Sequence, residues 1–279
     1  WASSDDEAAR RPTSLLLATV LSSSCHPMPM TPRDTDEAAA LLIRAARTRG
    51  WLERLPEAFR PAAVDDALAI QAAIVARAGE RIAGWKVGGV VEGAITYGVL
   101  LESRVQRSPA RIASADMPLL GMEAEVAFRF LHDLPPRAAE YSQADVEAAV
   151  VAFPAIEVVA TRYTSYQGTP FIERLADCMS NGAFVVGPDQ PSWRTQDLEQ
   201  LEATLTFDEQ IVTQRRGGHA AGHPLRPAVT LVNALRTSSG VRAGQMMTTG
   251  TYTGLNYAQP GQRVRASFDA FGAAELVID

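Results

Sequence analysis

The segment from Gly121 to Phe130 constrains the fold more than any other, because its side chains alternate in character along the whole stretch. Every even-numbered residue from Met122 to Phe130 is apolar, whereas the odd-numbered positions include Glu123 and Glu125. Successive side chains of a β-strand point to opposite faces of its sheet. The alternation therefore predicts a strand with one apolar face, in a body that is mostly β.

The elements around this strand divide the chain into a helical N-terminal part and a β-rich remainder. A helix is predicted over 38–49, with Gly50 as its stop, and a second over 65–78, ended by Gly79. A strand over 82–87 is expected to run into a glycine turn. Further strands are predicted over 97–101, 154–160, 184–186, 201–207, 246–249, 264–268 and 275–278, and further helices over 142–152 and 227–236. The predicted fold class is α+β.

Charge and cysteine content exclude several functional classes. The chain has 279 residues and a net charge of −6, and its pI is near 5.3. Without a broad cationic surface, neither nucleic acid nor an anionic membrane is an expected partner. The two cysteines, Cys25 and Cys178, cannot form a disulfide scaffold or a cysteine-rich zinc module. These features predict a cytoplasmic enzyme.

We predict that residues 1–30 form a disordered leader. A single catalytic domain is predicted to follow over 31–279. The apolar run at 15–21 is too short to cross a membrane, which needs about 20 residues. It lies at the lower limit for a secretory signal, which is the alternative interpretation. Within the domain, 31–80 is predicted to be helical and 81–279 to form a β-rich core.

Three glutamates point to a metal site. Glu123 and Glu125 share a strand face, where like charges repel unless a positive charge lies between them. For this pair alone, a solvated face is the simpler interpretation. Glu157, however, lies in a second apolar strand, in which an unpartnered charge would be expensive to bury. Three carboxylates without a neighbouring Cys or His suit Mg²⁺ or Mn²⁺, and they suit zinc poorly.

Four further residues are candidates for substrate contact or catalysis. Lys86, beside glycines, could hold a substrate carboxylate next to a metal; a lysine that snorkels at a strand end is the alternative. Asp177 and Ser180 lie in a polar patch before an apolar strand, where a helix cap is the alternative. Thr251 belongs to a hydroxyl-rich segment that could bind an oxyanion, or could form a strand with a tight turn.

Two histidines and several absent motifs limit the kinds of catalysis that the sequence supports. His219 and His223 have the spacing of a helical metal site, but the glycines and the proline around them exclude a stable helix. We therefore expect solvated loop histidines. The chain contains no Gly-x-Gly-x-x-Gly opening a helix, no P-loop and no Gly-x-Ser-x-Gly elbow. Nucleotide-dependent and serine-hydrolase chemistry are therefore unsupported.

Six segments, taken in chain order, resemble a known family. They are Gly84-Trp85-Lys86-Val87-Gly88, Glu123-Ala124-Glu125-Val126-Ala127-Phe128, Pro154-Ala155-Ile156-Glu157-Val158-Val159, Ala176-Asp177-Cys178-Met179-Ser180, Gly222-His223-Pro224 and Thr249-Gly250-Thr251-Tyr252-Thr253-Gly254. Together they resemble the 2-keto-4-pentenoate hydratase and 4-oxalocrotonate decarboxylase branch of the fumarylacetoacetate hydrolase superfamily. The likeness runs from about Asp36 to the C-terminus.

The resemblance implies a mixed β-roll core with peripheral helices and a helical N-terminal layer. It also implies a homo-oligomer, and a divalent metal held in the β-rich core. The implied ligands are Glu123, Glu125 and Glu157. Lys86 would lie close to a bound 2-oxo acid. The segment after Asp177 departs from the family pattern Asp-Asn-Ala-Ser, since Cys178 and Met179 replace its two middle residues.

The expected reaction is the metal-dependent addition of water to a 2-hydroxydienoate, through its 2-oxo-enoate form, to give a 4-hydroxy-2-oxo acid in aromatic catabolism. Lys86 would hold the substrate, with Ser180 and Thr251, and Asp177 would move protons. Decarboxylation of a 2-oxo-enedioate is the main alternative. Hydrolysis of an acylpyruvate C–C bond fits less well. The branch that performs it is similar to one with a His/Glu pair after the lysine strand, and no histidine occurs between His26 and His132. A non-catalytic protein that binds 2-oxo acids is the alternative from another class.

Overall fold

The computed structural model describes residues 29–91 and 93–279. Nearly all of the leader predicted over 1–30 lies outside the described residues. Within those two ranges, no helix has both the length and the apolar character needed to cross a membrane.

The described residues form a helical N-terminal layer and two sheets. The helices are α1 (Pro32–Thr48), α2 (Val64–Ala78), α3 (Gln143–Ala149), α4 (Phe171–Ala176) and α5 (Leu225–Leu235). The strands are β1 (Ile82–Val91), β2 (Ala94–Leu101), β3 (Val105–Arg107), β4 (Ala110–Ile112), β5 (Gly121–Phe130), β6 (Val150–Val159), β7 (Asn181–Val186), β8 (Glu202–Phe207), β9 (Gln210–Arg216), β10 (Met246–Thr251), β11 (Asn256–Tyr257), β12 (Arg263–Phe268) and β13 (Gly272–Ile278).

The N-terminal layer consists of α1 packed against α2. The Thr31 side chain caps α1 by accepting a hydrogen bond from the Asp34 N–H at 3.2 Å. The helix ends at Thr48, and Arg49 takes the left-handed conformation that we expected at Gly50. The second helix ends at Gly79 as predicted, with φ of 65°. Glycine suits this position because it lacks a Cβ.

The first sheet brings the candidate residues together. Its strand order is β2-β1-β10-β5-β6-β7-β3, and β11 pairs with β5. In the antiparallel pairing of β5 with β6, Glu123 lies directly opposite Glu157. In the parallel pairing of β1 with β10, Lys86 lies opposite Thr248. The strands that carry the glutamates and the lysine are therefore close neighbours.

The second sheet has the order β4-β13-β12-β8-β9, and its strands β12 and β13 pack on β6. The even-numbered face of β5 is buried as predicted, with Met122 and Phe128 both fully inaccessible to solvent. Burial of this face against the surrounding strands is the main source of stability for the core. The α+β class, with a mixed β-roll and peripheral helices, is confirmed.

Several element boundaries differ from the predicted ones, and two of these differences have a clear physical cause. The glycine turn expected after residue 87 is absent, because β1 continues as a strand to Val91. Gly88 lets it do so, since a Cβ there would overlap the side chain of Thr96 on β2. The helix predicted over 142–152 ends at Ala149, because the β-branched residues that follow extend β6 to ten residues.

Candidate metal and substrate site

The three glutamates predicted as metal ligands form one cluster. Glu123 and Glu125 point to the same face of β5, and the β5–β6 register sets Glu157 beside them. One carboxylate oxygen from each lies within 4.8 Å of the others. Glu157 is fully inaccessible to solvent, Glu125 is buried and Glu123 is half-buried. Because the three carboxylates converge below the surface, the alternative interpretation of a solvated strand face is excluded.

The cluster carries more negative charge than the protein around it neutralises. Burial raises the pKa of Glu123 to about 7, although the nearby Lys86 opposes the shift. Burial, followed by repulsion from Glu157 and Glu123, raises the pKa of Glu125 well above its ordinary value. Three carboxylates facing one ammonium have a formal charge of −2, which one divalent cation would neutralise.

The donor chemistry of the cluster also fits a cation. Glu157 Oε1 forms an ion pair with Lys86 Nζ at 2.7 Å, whereas Oε2 has no hydrogen-bond partner among the described residues. Buried carboxylate oxygens without donors are costly unless a cation binds them. An all-oxygen set without thiolate or imidazole suits a hard divalent ion. The residues that would hold it are Glu123, Glu125 and Glu157.

Lys86 lies at the edge of this cluster and stays charged. Its side chain is 13% exposed, and its ammonium also donates a hydrogen bond to the Met179 carbonyl at 3.2 Å. Burial lowers the pKa of Lys86, but attraction to Glu157 and then Glu123 outweighs burial, so the net shift is upward. A charged ammonium beside a metal site can bind a carboxylate or an enolate oxygen.

Thr248 is a site residue that the sequence prediction missed. Its hydroxyl donates a hydrogen bond to Glu125, and both side chains are buried. The hydroxyl-rich segment indicated this region, but the nominated residue was Thr251. The Thr251 hydroxyl accepts hydrogen bonds from the N–H groups of Thr253 and Gly254, at 3.1 and 3.0 Å. It lies opposite Glu125 in the β10–β5 register.

Asp177 and Ser180 flank Met179, whose carbonyl accepts the hydrogen bond from Lys86. Asp177 forms a buried ion pair with Arg162, whose backbone N–H also donates to it at 3.1 Å. Burial raises the pKa of Asp177, and Arg162 opposes the shift. Ser180 is fully inaccessible to solvent, and its hydroxyl has no hydrogen-bond partner within 29–91 and 93–279. A buried hydroxyl without a partner is uncommon in folded proteins.

The expectation of solvated loop histidines is wrong for His219, which is only 6% exposed. Its ring packs on Tyr252 with centroids 5.3 Å apart, and its Nδ1 accepts a hydrogen bond from the Ala221 N–H. The ring lies close to Gly250, where a Cβ would be 3.3 Å from His219 Nε2. Burial lowers the pKa of His219. His223 is half-buried.

The fold and the carboxylate cluster define a class of protein. The chain matches the 4-oxalocrotonate decarboxylase of Pseudomonas putida G7, complexed with magnesium and adipate, with a TM-score of 0.79 at 20% identity, over 91% of this chain and 100% of that one. A fumarylacetoacetate hydrolase family protein from Yersinia pestis CO92 matches at a TM-score of 0.52 and 18% identity, over 70% of this chain and 91% of that one. The fold is that of the fumarylacetoacetate hydrolase superfamily.

Relatives in sequence indicate which branch of this superfamily the chain resembles. The 2-keto-4-pentenoate hydratase of Paraburkholderia xenovorans (strain LB400) is 26% identical over 258 residues, which cover 88% of this chain and 94% of that protein. The 2-keto-4-pentenoate hydratase 3 of Pseudomonas putida matches with the same identity and coverage. No family model matches the chain. The resemblance to the hydratase and decarboxylase branch of the superfamily is confirmed by these relatives.

Proposed function

We propose that the chain is a metal-dependent hydratase that converts a 2-hydroxydienoate, through its 2-oxo-enoate form, into a 4-hydroxy-2-oxo acid in aromatic catabolism. The observation that carries the proposal is the buried trio of carboxylates with a single ammonium at its edge. The names of the curated relatives support hydration as the reaction. Their likeness covers 88% of this chain and 94% of each relative.

Glu123, Glu125 and Glu157 would hold the cation, for which we propose Mg²⁺ or Mn²⁺. Such a cation, when bound, supplies a Lewis acid that polarises the 2-oxo group and favours the enolate. The matching decarboxylase has been seen with magnesium and with calcium, which supports a divalent ion in this fold.

The side chains around the cluster would bind and orient the substrate. Lys86 keeps its positive charge, so it can offset the charge of the C1 carboxylate or of the enolate oxygen. The free hydroxyl of Ser180 can hydrogen-bond to the same end of the substrate. The hydroxyl of Thr251, on the strand beside Glu125, is the third proposed substrate contact.

The test is the ultraviolet absorbance of a panel of 2-hydroxydienoates, with Mg²⁺, with Mn²⁺ and with a chelator. A hydratase removes the conjugated chromophore only when the cation is present. Glu125→Ala is expected to abolish both cation binding and turnover, whereas Glu275→Ala, which removes a half-buried glutamate paired with Arg265, is expected to retain both. Turnover that persists after chelation would contradict the scheme.

Two further substrates, 4-oxalocrotonate and an acylpyruvate, separate the alternative functions. Release of carbon dioxide from 4-oxalocrotonate would identify a decarboxylase, the activity named for the matching structure. Cleavage of an acylpyruvate would identify a C–C hydrolase. Binding of cation and 2-oxo acid without any conversion would identify a non-catalytic binding protein.

We further propose that residues 31–279 act as one catalytic domain, with a helical part over 31–80 and a metal-binding core over 81–279. The acidic composition supports a cytoplasmic protein that binds neither nucleic acid nor membranes. Homo-oligomerisation, implied by the family resemblance, is tested by sedimentation velocity. A single species at the monomer mass would contradict it.

A further inference from the structure

The turn that follows Asp177 has an unfavourable backbone conformation. Cys178, Met179 and Ser180 have φ values of 49°, 52° and 57°, so three consecutive residues with side chains occupy the left-handed region. Residues other than glycine adopt this region at a cost in free energy, and they keep it only where the surrounding structure holds them. The turn borders the proposed site, because the Met179 carbonyl accepts the hydrogen bond from Lys86.

One buried side chain joins the two ends of this turn. Arg162 donates from Nη2 to the Asp177 carbonyl and from Nη1 to the Asn181 carbonyl, both at 2.7 Å. Its Nε and its backbone N–H donate to the two carboxylate oxygens of Asp177. The planar guanidinium has donors in fixed directions, so a single arginine can satisfy these acceptors together, whereas a lysine cannot.

The opposite side of the turn is closed by backbone. A Cβ at Gly98 would lie 2.7 Å from the Cys178 carbonyl carbon, so the turn packs directly on β2. The Ser180 carbonyl accepts a hydrogen bond from the Ala160 N–H at 2.8 Å. The turn therefore packs on the backbone of β2, and its two ends are joined by the guanidinium of Arg162.

We propose that Arg162 is a positioning residue, which holds the left-handed turn over 178–180 through Asp177 and thereby directs Lys86 and the Ser180 hydroxyl in the site. Asp177 then serves as the acceptor for Arg162 instead of moving protons. The consequence for turnover rests on the proposed hydratase function. The consequence for the turn and for Lys86 does not.

The chain supplies a direct probe of each part of this proposal. Lys86 is its only lysine, so selective ¹³C and ¹⁵N labelling of lysine gives one side-chain spin system by NMR. Cys178 is buried, and burial raises the pKa of its thiol to about 12, so it is unreactive while the turn is intact. A Cys25→Ser background makes Cys178 the single thiol.

In Arg162→Gln and in Asp177→Asn, we expect the Lys86 side-chain resonances to shift, and the reaction of Cys178 with DTNB to accelerate about tenfold or more, because the turn opens. Arg104→Gln is the matched control. Arg104 lines the same cavity as Arg162 and Asp177, but its Nη1 donates to Gly182, outside the turn. In this control the Lys86 resonances should stay at their wild-type values, and the Cys178 reaction should accelerate far less than in Arg162→Gln, although Arg104 also lines the cavity at Cys178.

Turnover gives the third readout. A site displaced by the open turn is expected to lose about 10–100-fold in kcat with unchanged cation affinity, and added guanidinium should restore part of the loss in Arg162→Gln. If Asp177 moves protons instead, Asp177→Asn loses turnover while Cys178 stays protected in both variants, and the proposal fails.

The proposal is also overturned if Lys86 resonances and Cys178 reactivity are unchanged in folded Arg162→Gln protein. If Arg162→Gln does not fold, Asp177→Asn, which keeps the size of the side chain, tests whether the pair holds the turn. Loss of folding in both variants would assign the pair to the core alone and overturn the positioning role. A wild-type protein without hydratase activity contradicts the proposed function, but it leaves the NMR and thiol measurements decisive.

Discussion

Lys86 is an exception within its own chain, since the other 25 basic residues are all arginine. The ammonium is a compact charge on a flexible stem, whereas the guanidinium is a wide planar fork. At this position the charge must fit between Glu157 and the Met179 carbonyl, at 2.7 and 3.2 Å. A lysine meets that requirement, and its being the single lysine of the chain is a signal that no local motif contains.

Replacing Lys86 by methionine should separate its role in turnover from metal binding. The change removes the only ammonium facing three carboxylates, so the cluster becomes more negative and its cation affinity should not fall. Turnover should fall about 100- to 1,000-fold, as on loss of one preorganised donor to a developing negative charge. Initial rates and isothermal titration with Mg²⁺ measure the two effects.

Arg81→Met is the control for that substitution, because Arg81 precedes the same strand and pairs with the exposed Glu102. Its rate and its Mg²⁺ affinity should match those of the wild type. Weaker Mg²⁺ binding in Lys86→Met would show that the ammonium supports the cation site, contrary to the charge argument.

We expect Thr248 to support the cation site through its hydrogen bond to Glu125. Thr248→Val keeps the shape of the side chain but removes the hydroxyl that donates to Glu125, so we expect Mg²⁺ affinity to fall about 10- to 100-fold. Thr249→Val is the matched control, since the neighbouring hydroxyl contacts the Val126 carbonyl and no ligand carboxylate. Equal affinities in the two variants would argue against this role.

At the scale of elements, local patterns predicted most of the longer strands and helices but not all of their limits, and they missed α4 and β9. Alternation identified β5, and Gly79 correctly marked the end of α2. The extension of β1 through its glycines depends on contacts with Thr96 on the neighbouring strand, which no local pattern contains. Likewise, three left-handed residues without a glycine at 178–180 are set by Arg162, which precedes them by 16 to 18 positions.

Two glycines of β1 should respond oppositely to alanine. A Cβ at Gly84 would lie 2.7 Å from the Met246 carbonyl carbon, and this backbone belongs to the paired strand β10 and cannot yield. Gly84→Ala should therefore lower the free energy of unfolding by about 3 kcal/mol. At Gly89 a Cβ meets nothing within 4 Å, so Gly89→Ala should raise it by about 0.5–1 kcal/mol.

Urea denaturation of both variants, fitted with a common m-value, measures these changes in stability. A Gly84→Ala protein as stable as the wild type would mean that β1 and β10 do not approach each other as closely as described.

At the scale of the whole molecule, the site is a product of sheet order. Lys86, the glutamates and Thr248 come from β1, β5, β6 and β10, and Thr248 reaches Glu125 across 123 positions of sequence. The residue types predicted a cation site because carboxylates in apolar strands need a counter-charge. The sequence could not reveal which hydroxyl supports them, or that Arg162 neutralises Asp177, because those contacts depend on register and on long-range packing.

The charge of this cluster should also govern how stability varies with pH. Glu123 has a pKa of about 7 in the folded, metal-free protein, against an ordinary value of 4.5. Between these values the folded protein binds a proton that the unfolded chain has released, so this group lowers the free energy of unfolding as pH rises. Glu125, whose pKa is also raised, acts in the same direction.

A bound divalent cation reverses that dependence, because it requires deprotonated carboxylates and binds the folded state. The increase in melting temperature caused by saturating Mg²⁺ should therefore grow from pH 4.5 to about 7. His219, with a lowered pKa, makes the protein more stable as pH rises toward 6.5, but it does so with and without the cation and cancels in the difference. Glu123→Gln should flatten the difference curve, and a flat curve in the wild type would place the cation away from this cluster.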